Sequence, residues 1–300
     1  MTELKGCGTA LVTPFRSGEV DYEAYAALVD RQVAAGVDFL VALATTGETP
    51  TLSPEEKTAL LRITREHSGG KPVLAGCGSN SVPGTLANIR LLEFSGADAW
   101  LVVVPFYNKP TQEGMYLYFR EIASSTDKPV VIYNVPGRTG ANMTAYTCLR
   151  LARDVENIVA VKEASGNLDQ VRAILEGAPE GFSVLSGDDD LTFEMMGYGA
   201  AGVISVASNI APAEVTEMCC KATEAKEKTE HDDSWTKASD INSRLQPLFK
   251  ACFIESNPIP VKAGLSLLGL CTKEVRLPLT EAKEETVEAM REVLQYRFPG

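Results

Sequence analysis

Short apolar runs alternate along the chain with stretches whose apolar residues recur at helical spacing. A run that is apolar at nearly every position reads as a strand buried on both faces, as in a parallel sheet. Runs of this kind fall at 8–15, 38–43, 72–76, 98–104, 129–133, 158–162, 183–186 and 202–205. Between them lie helix patterns. Asp21 is placed to cap a helix with Tyr25, Leu28, Val29 and Val33 on one face, and Gly36 stops it. Ser53-Pro54-Glu55-Glu56 supplies a cap, a first-turn proline and first-turn glutamates. Further helices are predicted near 84–94, 112–124, 145–152 and 168–175, and from 191 onward.

Strand then helix, eight times, with short connections and no predicted hairpin, demands parallel pairing. Eight such units in about 225 residues suit an α/β fold of the (β/α)8 TIM-barrel type. A doubly wound open sheet is the alternative. It usually carries a glycine-rich first turn, whereas Gly6-x-Gly8 has no third glycine and no helix after it. Beyond residue 213 only helix patterns remain, near 213–230, 235–253, 259–268 and 281–294. The expected division is a catalytic barrel over 1–225 and a small C-terminal helical domain over 226–300. The charged stretch 224–233 reads as a solvated face or a bend.

Of 300 residues, 45% are hydrophobic and 23% charged, an ordinary globular composition. The net charge of −12 argues against nucleic acid or an anionic membrane face as partner. No apolar run approaches spanning length, and Met1 to Gly6 lacks a basic segment leading into an apolar one, so no signal peptide is expected. Seven scattered cysteines with no Cys-x-x-Cys suit a reducing cytoplasm and small-hydrophobe roles, and argue against zinc or disulfides. His67 and His231 stand alone in polar helices and are not expected to catalyse anything.

Barrel enzymes place their chemistry at the carboxyl ends of strands and in the loops that follow. Five features fall there: Thr45-Thr46-Gly47-Glu48, the loop 105–110 with Tyr107, Tyr133 leading into 134–139 with Arg138, Lys162, and Ser186-Gly187-Asp188-Asp189-Asp190. Each has a plainer reading. The threonines and Asp188 serve equally as caps, and Lys162 as a residue that snorkels out and pairs with Glu163 or a helix end. Three adjacent aspartates raise Mg²⁺, but no phosphate-binding loop accompanies them, so no metal is expected. Burial of a lysine favours its neutral amine, which forms a Schiff base with a carbonyl. Such a site needs hydroxyls to relay protons and anchors for carboxylates; tyrosines, threonines, an arginine and Thr-Gly backbone N–H groups supply both.

The Thr-Pro-Phe of the first strand, Thr-Thr-Gly-Glu, Tyr-Asn-Val-Pro-Gly-Arg-Thr, Val-Lys-Glu-Ala-Ser-Gly and Asn257-Pro258-Ile259-Pro260-Val261-Lys262 span nearly the whole chain. With them the sequence resembles the dihydrodipicolinate synthase / N-acetylneuraminate lyase superfamily of class I aldolases, and its dihydrodipicolinate synthase branch most. The resemblance implies condensation of pyruvate with aspartate 4-semialdehyde on the route to diaminopimelate and lysine. It implies Lys162 as the imine-forming residue, with no cofactor beyond that covalent imine. Tyr133, Thr45 and Tyr107 are implied as the proton relay, Tyr107 being donated across a subunit interface. Substrate-binding roles are implied for Thr46, Gly187 and the backbone near Ile204, and for Arg138 on the semialdehyde carboxylate. A homotetramer of tight dimers is the implied assembly. Cleavage of N-acetylneuraminate or a 2-keto-3-deoxy sugar acid is the competing activity on the same scaffold. A catalytically dead barrel that senses a keto acid is the alternative outside enzymes.

Overall fold

The computed structural model describes residues 4–227 and 233–297. His231 therefore lies outside the described residues. The eight apolar runs form β1 (Gly6–Ala10), β2 (Phe39–Ala42), β3 (Val73–Gly76), β4 (Ala99–Val103), β5 (Val130–Asn134), β6 (Ile158–Glu163), β7 (Ser183–Ser186) and β8 (Gly202–Ser205). Each pairs in parallel with the next, and β8 pairs with β1 to close the barrel. The helices between them are α1 (Tyr22–Ala34), α2 (Pro54–His67), α3 (Val82–Leu92), α4 (Gln112–Ala123), α5 (Ala145–Asp154), α6 (Leu168–Gly177) and α7 (Thr192–Tyr198); α8 (Pro212–Glu227) follows β8.

The predicted helix starts work as chemistry. Asp21 accepts the Ala24 N–H at 3.0 Å. Ser53 and Glu56 each accept the other's backbone N–H, a reciprocal capping box. Along the strands, alternate residues face inward and outward. Phe39, Val41, Leu74, Leu101, Val131, Ala160, Leu185 and Ile204 fill the barrel. Leu40, Ala42, Val73, Trp100, Ile132, Val161 and Val184 pack outward against helices. Burying each such large side chain contributes about 1.5–3 kcal/mol. Gly8 is required by this filling, because a Cβ there would stand 2.0 Å from the Phe39 ring.

Two expectations are corrected. The first strand ends at Ala10 instead of continuing to Phe15. Phe15–Arg16 and Glu19–Val20 form a small antiparallel hairpin, although none was expected. Its turn residues Ser17 and Gly18 have φ of 55° and 82°, the doubly positive geometry of a type I′ turn. Only one of the two is a glycine, which weakens the signal in the sequence. The hairpin buries Phe15.

The C-terminal helices are α9 (Ser234–Ala251), α10 (Ile259–Leu267) and α11 (Glu284–Arg297). Val215 and Met218 of α8 share one core with Leu245 and Leu248 of α9, and Cys7 and Val203 join it to the barrel wall. From there the chain returns to the carboxyl-end rim, where Asn257 and Lys262 meet the loop after β2.

Candidate active site

Lys162 lies two residues beyond Ala160 on β6, so the strand period turns it inward with the barrel filling. It is only 4% exposed. Tyr133 on β5 is its register partner, and the Lys162 ammonium position lies 4.3 Å from the centre of the Tyr133 ring. The snorkelling alternative fails, because Lys162 stays buried and Glu163 points to the opposite face of the sheet. There Glu163 accepts from Asn134 and from the Ser165 and Gln170 N–H groups. Gly187, at the end of β7, makes space for the lysine: a Cβ there would sit 3.1 Å from Lys162 Cε and 2.6 Å from the Ala164 Cβ.

Two carboxyls from the loop after β7 flank this wall. Burial pushes the Asp188 carboxyl up to about 6, with Asp190 adding to the shift and the Lys162 charge opposing it. Asp188 is not the helix cap of the plainer reading, since its side chain caps nothing. Asp189 is fully buried, and burial also raises its carboxyl. Its Oδ2 accepts the Val206 and Ala207 N–H groups, both at 3.0 Å. Asp189 thus ties the β7 loop to the backbone just after the buried Ile204. Among the described residues no group of three or more His, Cys, Asp or Glu is arranged to hold a metal ion.

Thr45 opens a 3-10 turn, Thr45–Gly47, and is half-buried; Thr46 is buried. Thr46 Oγ1 accepts from Asn257 Nδ2 at 3.0 Å. Arg138 sits in the short helical turn Pro136–Thr139, is exposed, and brings Nη2 to 3.5 Å from the Asn257 carbonyl. Asn257 therefore touches both ends of the candidate site, a role the sequence reading did not give it. Its signal was present: Asn257-Pro258 opens a conspicuous tail motif. Tyr107 meets this cluster through its backbone, its N–H donating to the Thr139 carbonyl of the Arg138 turn at 3.4 Å. Its ring is 87% exposed and its φ is 73°.

One more link crosses the rim. Lys262 Nζ meets Glu48 Oε1 at 2.7 Å, with side chains 0% and 1% exposed. It also donates to the Thr13 carbonyl at 2.8 Å. Glu48 takes the Arg276 N–H on its other oxygen. Burial pulls the Lys262 amine down while Glu48 opposes the shift. Outside the site, His67 pairs with Asp30 at 2.9 Å.

The sequence model of the Dihydrodipicolinate synthetase family matches residues 3–297. The chain belongs to that family. It is 45% identical over 295 residues to a 4-hydroxy-tetrahydrodipicolinate synthase of Thermotoga neapolitana, covering 97% of this chain and 98% of the relative. Against that of Phocaeicola vulgatus it is 46% identical over 295 residues, covering 98% and 97%. The crystal structure of dihydrodipicolinate synthase from Thermotoga maritima superposes with a TM-score of 0.94 at 44% identity, covering 98% of each chain. Among the described residues no helix is long and apolar enough to cross a membrane.

Proposed function

We propose that the chain catalyses the Schiff-base-dependent condensation of pyruvate with L-aspartate 4-semialdehyde, giving 4-hydroxy-tetrahydrodipicolinate on the route to diaminopimelate and lysine. The observation that carries this reading is a buried lysine on the inner wall of the barrel, 4.3 Å from the ring of Tyr133. Lys162 Nζ adds to C2 of pyruvate, and the carbinolamine loses water to give an imine. The imine accepts the electron pair left when C3 gives up a proton. The resulting enamine bonds through C3 to the aldehyde carbon of the second substrate, whose oxygen takes up a proton. The semialdehyde's own amine then displaces Lys162, closing the ring and freeing the lysine. One water leaves overall, and no cofactor or metal enters the balance. The expected location is the cytoplasm.

Tyr133, Thr45 and Tyr107 are assigned to proton transfer. Thr46, Gly187 and the Ile204 backbone are assigned to the pyruvate end, and Arg138 to the semialdehyde carboxylate. A coupled assay with both substrates tests the reaction; turnover of a sugar acid without the semialdehyde would replace it with the lyase. Arg138→Ala is expected to lower kcat/KM for the semialdehyde by about 10- to 100-fold, the loss of one charge-assisted contact of roughly 1.5–3 kcal/mol. Pyruvate should still be trapped at Lys162 in that variant. An equal loss of trapping would put Arg138 on the wrong carboxylate.

Tyr107 supports an assembly reading. An 87% exposed ring on a backbone held at φ 73° is explained by a second copy that covers it. In a tight dimer, two of which make the proposed tetramer, Tyr107 would complete the neighbouring site. Tyr107→Phe mixed with inactive Lys162→Ala should then regain activity in hybrid dimers. Failure to regain it after verified subunit exchange would return Tyr107 to its own chain.

A further inference from the structure

The strand period links Tyr133 and Lys162 to a second pair that the proposed reaction leaves unused. Their successors, Asn134 and Glu163, face outward and are again register partners. Glu163 is 2% exposed. Its oxygens accept from Asn134 Nδ2 at 3.2 and 3.0 Å, the Ser165 N–H at 2.8 Å and Gln170 Nε2 at 3.2 Å. All of these donors are neutral. Burial raises its carboxyl, and the hydrogen bonds from Ser165, Asn134 and Gln170 oppose that shift. Asn134 is committed to the link, because its Oδ1 already accepts the Met143 N–H at 3.0 Å. The pairing of β5 with β6 slips at Val130/Val131 and then runs evenly to Asn134 and Glu163, the last pair before both strands end. Just past that end, the Ala164 N–H donates to the Asn134 carbonyl at 2.9 Å.

We infer that Glu163 is a positioning residue: its hydrogen bonds to Asn134 lock the carboxyl ends of β5 and β6 in the register that sets Tyr133 against Lys162. This rests on Lys162 forming the imine. Asn134 and Glu163 do not touch the reacting atoms; they fix where the two inward side chains stand. Removing the lock displaces the amine relative to the tyrosine, and misplacement on the ångström scale costs about 100-fold in rate.

The test is the rate at which borohydride traps pyruvate on the full-length chain. Wild type comes first: no adduct at Lys162 would overturn the proposed function and not the lock. Glu163→Gln turns an amide N–H₂ toward the N–H₂ of Asn134 or Gln170, and trapping should slow by about 10- to 100-fold. Asn134→Asp sets two carboxylates together and should slow it similarly. The double variant Asn134→Asp/Glu163→Gln exchanges donor and acceptor. Asp at 134 still accepts the Met143 N–H, and Gln at 163 donates to it while accepting from Ser165. The Asn142 amide, which now accepts from Asn134 at 2.9 Å, turns over to donate to Asp at 134, and the Gln170 amide turns over to accept from Gln at 163. Trapping in the double variant should return to within about threefold of wild type. Wild-type trapping by Glu163→Gln overturns the inference, as does a double variant slower than both singles. If the singles fail to fold by circular dichroism, the double variant decides, since it keeps the link between 134 and 163 with donor and acceptor exchanged. Trapping within about threefold of wild type supports the lock, and a folded double variant that traps more than about 10-fold slower overturns it.

Discussion

Incubated with pyruvate and borohydride, the wild-type chain gains one pyruvate-derived mass at Lys162 and loses activity, whereas Lys162→Arg gains none. Imine formation needs a neutral amine, and a guanidinium keeps its proton, so arginine preserves charge while abolishing the nucleophile. The expected fall in kcat is on the order of 1,000-fold or more. Another buried lysine is a useful contrast. Lys262 is 0% exposed, but its amine is occupied by Glu48 and the Thr13 carbonyl and leaves no room for a carbonyl substrate. Lys162 instead faces the barrel interior beside Tyr133, with space kept by Gly187. Peptide mapping by mass spectrometry decides the assignment. An adduct on the exposed Lys109 instead of Lys162 would overturn it.

The barrel was legible in the sequence because a strand buried on both faces leaves an apolar run, and eight such runs separated by helix periods admit few topologies. Lys162 stood out for the same reason, since a charged residue closing an apolar run is costly, but the run alone left open whether it snorkels out; its 4% exposure shows the buried placement. The hairpin at Phe15–Val20 was not, because two-residue strands leave no period and Ser17-Gly18 is a weak turn signal. The links across the rim were not legible either. Asn257 and Thr46 stand 211 positions apart, and Lys262 and Glu48 stand 214 apart. Local pattern carries no information about which distant side chains share a buried pocket. The motifs marked these residues as unusual, but only the closed fold pairs them. The outward Asn134–Glu163 contact shows the same limit at shorter range, since strand register decides it.

Lys262→Met is expected to destabilise the chain by about 3–5 kcal/mol, because it leaves the Glu48 carboxylate buried without its cation. At this chain length that lowers Tm by on the order of 10 °C, readable by circular dichroism. Replacing both partners is a different experiment. In Glu48→Gln/Lys262→Met no net charge is buried, Gln at 48 still accepts the Arg276 N–H, and its amide offers a donor to the Thr13 carbonyl that Lys262 vacates. The double variant should therefore be more stable than Lys262→Met alone, the signature of a coupled pair. Activity should not recover with it. Glu48 sits at φ 52° directly after the Thr45–Gly47 turn and donates its N–H to the Thr45 carbonyl. Thr13 Oγ1 holds the Gly47 carbonyl from the other side at 2.8 Å. The ion pair thus sets the turn carrying Thr45 and Thr46, and a neutral pair with looser geometry should restore folding while kcat stays depressed. If the double variant loses as much stability as both single variants summed, Glu48 and Lys262 act independently and the tail does not hold the turn through this contact.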